Sequence, residues 1–203
     1  TAGGMDAPPA TGYARRTMTD MPFDEISRLD DDALLVLYAN GDPAAARILT
    51  ARLAPKVHAH AWRLLGDAAE ADDITQEALL RLWRIAPEWR QGEAKVTTWL
   101  YRVTANLATD RIRRRRGRNL ALDAIPEPED DQPRAEDRMQ DAARAEALNA
   151  ALATLPDRQR QAVVLRHIEG LANPDIAAIM AIGVEAVESL VARGKRGLAA
   201  ALM

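Results

Sequence analysis

Apolar residues recur along this chain at intervals of three and four, the spacing of helix faces. Starting at Phe23, one such face runs through Ile26, Leu29, Ala33, Leu34 and Leu37, with Asp30, Asp31 and Asp32 expected on the exposed side. Asn40-Gly41 predicts the stop of that helix, and Asp42-Pro43 supplies an N-cap and a first-turn proline for the next. Ile48, Leu49 and Leu53 continue the second helix to Pro55, which is expected to interrupt or kink it before residues 57–65 resume the pattern. After Gly66-Asp67, residues 72–85 (DDITQEALLRLWRI) form the cleanest amphipathic unit. Ile74, Ala78, Leu82 and Ile85 make its buried stripe, and Asp73, Gln76, Glu77, Leu80 and Arg84 lie on another face. Glu77 and Arg81 stand four apart, a helical ion pair worth only ~0.3 to 0.5 kcal/mol.

A loop over 87–95, containing Trp89 and Gly92, leads to the element that organises the first half, a helix over 97–118 capped by Thr97 or Thr98. Leu100, Val103 and Leu107 face a core, while Trp99, Arg102, Asn106, Asp110 and Arg113 share the adjoining face. Weak helix formers over 106–109 predict a break there, and Gly117 predicts the end. The pattern resumes with a helix over about 134–154, carrying Met139, Ala143, Leu148, Leu152 and Leu155. Pro156-Asp157 starts another helix that ends at Glu169-Gly170, and Asn173-Pro174 caps a short third. Ala181-Ile182-Gly183 then turns into a last helix with Val187, Val191 and Leu198 inward. Two short helices joined by a three-residue turn, with small Ala177 at their crossing, form a helix-turn-helix pattern.

Composition supports an all-α reading. Of the 203 residues 48% are hydrophobic but only 4% aromatic, so cores must be built from Leu, Ile, Val and Ala. The absence of cysteine removes disulfides and thiolate metal sites. His58 and His60 point about 200° apart on a helix and cannot share a metal. The longest apolar run, 33–39, is far short of a membrane span, which predicts a soluble, cytoplasmic protein without membrane insertion. The TAGG preceding Met5 reads as a cloning remnant, and the Pro-, Gly- and Thr-rich residues 1–22 as a disordered arm.

Charge changes the picture more. A net charge of −3 disfavours nucleic acid only if evenly spread, whereas residues 99–118 hold seven Arg against the single Asp110, a local +6. Trp, Tyr and Asn on the same helix add stacking and base-edge hydrogen bonding to phosphate charge, the combination that holds single-stranded nucleic acid. Residues 123–137 hold seven acids, three Pro and one Arg, a local −6. They read as an acidic flexible linker between two small helical domains, 23–118 and 138–203, with 119–137 between. The opposed charges predict that this linker partly screens the basic helix in the free protein.

Three segments together, DDITQEALLRLWR at 72–84, TTWLYRVTANLATDRIRRRR at 97–116 and LPDRQRQAVVLRHIEGLANPDIAAIM at 155–180, closely resemble regions 2 and 4 of bacterial extracytoplasmic-function (ECF) sigma factors. The resemblance implies a promoter-specificity subunit that is not an enzyme and uses no cofactor, catalytic residue or metal. It implies core RNA polymerase as a partner through Asp73, Gln76 and Glu77. It implies −10 promoter DNA at Trp99, Arg102, Asn106, Ala108, Thr109, Arg111, Arg113 and Arg114, with a loop over 106–109 holding a flipped base. It implies −35 DNA at Ser189, Arg193, Lys195 and Arg196, and an anti-sigma factor as inhibitory partner. In holoenzyme the linker would enter the polymerase's nucleic-acid channel. The chain departs from the family's commonest pattern at Ala186-Val187-Glu188-Ser189-Leu190, where an acid and a Leu stand in place of cations, and at Ala181, where the turn tends to have Gly. A stand-alone helix-turn-helix regulator of duplex operators, or a sigma-like adaptor, is the competing reading.

Overall fold

The computed structural model describes residues 23–119 and 136–201, and every regular element among them is a helix. The arm and nearly all of the acidic linker expected from composition lie outside the described residues. The first helical face divides in two, α1 (Phe23–Ile26) and α2 (Asp31–Ala39), because Asp30 caps α2 by accepting from the Ala33 amide at 2.7 Å. Its two neighbours, expected merely on the exposed side, are also engaged. Asp31 pairs with Arg52 at 3.2 Å, and Asp32 accepts from the Val96 amide at 3.1 Å.

Asp42 opens α3 (Pro43–Leu65) by accepting from the Ala44 and Ala45 amides at 2.8 and 3.3 Å. The expected interruption at Pro55 does not occur. Proline removes one backbone donor, but Leu53 and Val57 on either side are both buried, and tertiary packing holds the helix through the defect. Gly66 ends α3 at φ 69°, and Asp67 caps α4 (Ala68–Ile85), which begins a turn earlier than its apolar stripe.

A 3-10 turn (Ala86–Glu88) and a loop precede α5 (Val96–Asn119). Thr97 and Thr98 lie inside α5, and the cap is Asp32, from a helix 64 residues earlier. The break expected over 106–109 is absent, and α5 also runs through Gly117. Thr104 and Thr109 donate their hydroxyls to the carbonyls of Leu100 and Ala105, each at 2.8 Å, and so satisfy their polar groups without leaving the helix. Ala105 and Ala108, buried to 1% exposure each, fasten this stretch to its neighbours.

The second half comprises α6 (Glu136–Ala153), α7 (Asp157–Val163) continuing into a π turn (Val164–Ile168), α8 (Asn173–Met180) and α9 (Val184–Ala201). Asn173 is the first residue of α8 rather than its cap. Ala181 joins α8 to α9 in the left-handed conformation, φ 52° and ψ 51°, alone in this among the described non-glycine residues. That conformation costs an L-residue roughly 1–2 kcal/mol, partly offset because glycine loses more chain entropy on folding. Ala181→Gly is therefore expected to stabilise the protein by about 0.5–1 kcal/mol, raising the thermal midpoint by a few degrees. An unchanged or lower midpoint would show that the turn is unstrained.

Three apolar clusters hold these helices. The first joins α2, α3, α4 and α5 through Leu35, Leu49, Leu53, Leu82 and Leu100, with Val103 and Leu107 packed against it as their spacing predicts. The third lies within the second half, around Leu152, Leu155, Val163 and Val164. The second belongs to both halves. Tyr101, Ala105 and Ala108 of α5 and Ala61 and Leu64 of α3 meet Leu165, Ile176, Ile179 and Met180 in one cluster. Thus α5 has two apolar stripes, and only the one through Leu100 was apparent from the pattern.

Candidate nucleic-acid interface

The outer face of α4 is built as its sequence predicts. Ile74, Ala78 and Leu82 are buried and Ile85, expected with them, is only half-buried at the helix end; this turns Asp73, Gln76 and Leu80 outward, and Leu80 remains 49% exposed. Glu77, half-buried, pairs with Arg81 at 2.8 Å, and the Arg81 hydrogen bond holds its carboxyl below the usual range. Asp73, Gln76, Glu77 and Leu80 share a groove of about 460 Å³ with Asp110, Arg111 and Arg114 of α5. Residues expected to serve two different partners therefore border one surface.

The basic helix is less free than its sequence charge suggests. Arg111 lies 3.7 Å from Glu70 and 3.5 Å from Asp73, and Arg115 reaches Asp67 and Glu70 at 2.7 and 2.8 Å. Arg113 pairs with Asp110 at 2.9 Å, and Arg116 with Asp157 at 3.0 Å. Acids at the start of α4, on α5 itself and on α7 thus neutralise much of the cationic end, irrespective of the linker. Arg113 stays 79% exposed, so water screens its pair strongly.

The residues expected at −10 DNA do not form one patch. Trp99 packs edge-to-face with Trp89, centroids 6.2 Å apart, beside an open hollow with Arg90 and Glu93. Arg102, Asn106, Ala108 and Thr109 line a separate cleft of about 410 Å³, whose opposite wall is Asp157, Arg158, Arg160, Gln161, Ile179 and Met180. Ala108 is buried at its floor, while Arg102, Asn106 and Thr109 are exposed. Because α5 is unbroken, no loop over 106–109 forms a base pocket here.

On α9, Val187 and Gly194 are buried and Ser189, Arg193, Lys195 and Arg196 exposed. Ser189, Arg193 and Arg196 recur at i, i+4, i+7 and share the face opposite Val187, with Lys195 to one side. Leu190 is half-buried against the shared cluster and so behaves as core edge, and exposed Glu188 accepts from Asn173 Nδ2 at 3.5 Å. The histidines diverge, His58 lying 3.1 Å from Asp72 and His60 3.6 Å from Glu169, and no metal-binding group of three or more His, Asp or Glu occurs among the described residues.

Pattern reading missed the acids at Asp67, Glu70 and Asp157 as partners of the basic helix, and it missed the second stripe of α5. The stripe had a signal, since Tyr101, Ala105, Ala108 and Ile112 recur at helical spacing. The acids had none, because which helix lies beside α5 is not a local property.

Family models match this chain over residues 49–118, as sigma-70 region 2, and 145–198, as sigma-70 region 4. Among curated relatives, it is 36% identical over 170 residues to the ECF RNA polymerase sigma factor SigE of Mycolicibacterium smegmatis, covering 80% of this chain and 65% of that protein's length. It is 30% identical over 153 residues to the ECF RNA polymerase sigma factor SigW of Bacillus subtilis, covering 70% of this chain and 81% of that one. Its fold is similar to that of the sigma factor RpoE, crystallised with the anti-sigma factor NepR from Bartonella quintana. The TM-score is 0.62 at 23% identity, covering 75% of this chain and 93% of the other.

Proposed function

The chain belongs to the ECF RNA polymerase sigma factors, with regions 2 and 4 in that order, and from this premise we propose that it binds core RNA polymerase and directs it to promoter DNA. It is a specificity subunit and not an enzyme. In this reading residues 23–118 form the region 2 domain, 119–137 the linker and 138–203 the region 4 domain. Asp73, Gln76 and Glu77 dock on core. Trp99, Arg102, Asn106, Ala108, Thr109, Arg111, Arg113 and Arg114 serve −10 strand capture, and Ser189, Arg193, Lys195 and Arg196 the −35 duplex. The supporting observation is the pairing of an exposed acidic and apolar face on α4 with the arginines of α5 along one groove. A plain duplex-binding regulator has no use for that surface.

Melting the promoter would draw on binding energy. The sequence has no Gly-x4-Gly-Lys nucleotide loop, so stacking and phosphate contacts must offset the few kcal/mol of each unstacked base. No described helix is long and apolar enough to cross a membrane, and we place the protein in the cytoplasm with its polymerase. A sigma factor similar in fold was crystallised with an anti-sigma factor, and an anti-sigma partner is part of the same proposal.

Run-off transcription with and without core tests it. Specific initiation should require both core and this chain, and duplex binding without any initiation would reject the reading. Within that assay, Glu77→Lys should weaken core binding about tenfold or more, since reversing an interfacial charge adds repulsion to a lost contact. Folding should be unaffected, because only the exposed Arg81 pair is lost. Unchanged affinity in a pull-down titration would show that this face is merely solvated.

A further inference from the structure

Glu169, at the end of the π turn, has its carboxylate only 10% exposed and is held by residues from the other half of the chain. Tyr101 of α5 donates its hydroxyl to Oε2 at 2.6 Å, Arg63 of α3 donates to Oε1 at 3.3 Å, and His60 of α3 places Nδ1 3.6 Å from Oε1. The His60 ring, fully buried, lies 4.9 Å from that of Tyr101. Nearby, Arg160 donates to the Leu64 carbonyl of α3 at 2.6 Å, and α8 lies directly on α5.

We propose that Glu169 is a latch between the two halves: by accepting hydrogen bonds from Tyr101 and Arg63, beside His60, it seats the helix-turn-helix on α5 and keeps the free chain closed. Closure sets α7 and α8 residues across the cleft that Arg102, Asn106 and Thr109 line, narrowing access to these three exposed side chains, buries Ala108 at its floor and leaves the outer face of α9 open. Its consequence for DNA rests on the sigma-factor reading; closure itself does not.

The physical case lies in what surrounds the carboxylate. Burial by itself would raise the Glu169 pKa, yet His60, Tyr101 and Arg63 outweigh it and hold the carboxyl below the usual range. Burial first, and the bond to Glu169 second, push the Tyr101 hydroxyl well above its ordinary value, so it remains a donor throughout the neutral range. All the partners lie across the junction, so this acid is satisfied at low exposure only while the halves are together. When they part, the Glu169 carboxylate leaves its partners for water, so its charge is not stranded in the junction. The apolar contact beside it sets Tyr101, Ala105 and Ala108 of α5 against Leu165, Ile176, Ile179 and Met180. Buried polar groups that water can replace on opening, set beside that apolar contact, make the junction more polar than a core and favour reversible association of the two halves.

The sequence contains no cysteine, so a thiol introduced by Ala108→Cys at the cleft floor reports opening without background. Its rate of reaction with a maleimide should rise about tenfold or more when Glu169→Gln or Tyr101→Phe is added, the range expected when a minor open state becomes populated. Circular dichroism should show helicity unchanged. In chains retaining Ala108, the same two substitutions should tighten binding of a labelled mixed-sequence single-stranded DNA by a comparable factor. Faster labelling with unchanged DNA affinity supports the latch and counts against strand capture by this face. Unchanged labelling in both folded variants overturns the latch, and if Glu169→Gln fails to fold, Tyr101→Phe alone decides, because it keeps the ring and removes only the hydroxyl.

Discussion

Replacing Arg160 by alanine is expected to destabilise the protein by about 2–4 kcal/mol, among the largest effects of any single polar residue here. Its guanidinium donates to the carbonyls of Leu152 at 2.9 Å, Ala153 at 2.9 Å and Leu155 at 3.2 Å, the last acceptors around the end of α6, and to Leu64 of α3. A helix end leaves its final carbonyls without partners, and one planar cation here serves three of them and ties the assembly to the first half. Burial holds its pKa below the ordinary value, with Asp157 opposing. Truncation would leave several carbonyls to whatever water can enter. The check is the urea midpoint followed by circular dichroism, with Arg160→Lys as the second arm. Lysine restores charge but cannot span four separated carbonyls, so it should recover little. Full recovery by lysine would show that charge, and not the fork of donors, matters.

Gly194→Ala is expected to lower stability by about 1–3 kcal/mol, the cost of overpacking, although in an ordinary helix interior the same change gains close to 1 kcal/mol. A Cβ there would stand 2.5 Å from Val163 Cγ2 and 3.1 Å from the Gln159 carbonyl oxygen. Valine is stiff at χ1 and the other neighbour is backbone, so neither yields without shifting α9 from α7. Gly197 provides the contrast, since a Cβ added there meets only Leu155 Cδ2, at 2.7 Å, the end of a side chain that can rotate. Gly197→Ala should be near neutral. Thermal melts of the two variants side by side test this, and equal midpoints would mean that the α7–α9 approach is looser than the structure has it.

The sequence by itself determined the helices and their faces, and with them the family. Helical period and punctuation are local, so Asp42-Pro43, Asn40-Gly41 and Gly66-Asp67 were readable where they stand, as were the stripes through Ile74 and Leu100. Local reading failed where a distant residue supplied what a short segment lacks. Asp32 caps α5 from another helix, packing carries α3 through Pro55, and buried alanines with back-bonded threonines carry α5 through 106–109. The charge of the basic helix failed in the same way. Counting gives +6 over 99–118, but Coulomb attraction depends on separation, and only the folded chain sets Glu70 and Asp67 within 2.8 Å of Arg115. Spacing places Tyr101, Ala105 and Ala108 on one face, but it could not show that this face meets the helix-turn-helix and Glu169, 68 residues on from Tyr101. Sequence specifies which groups are present and which face of a helix they share. Which faces meet is decided by burial summed over the whole molecule, and that sum exists only in the tertiary structure.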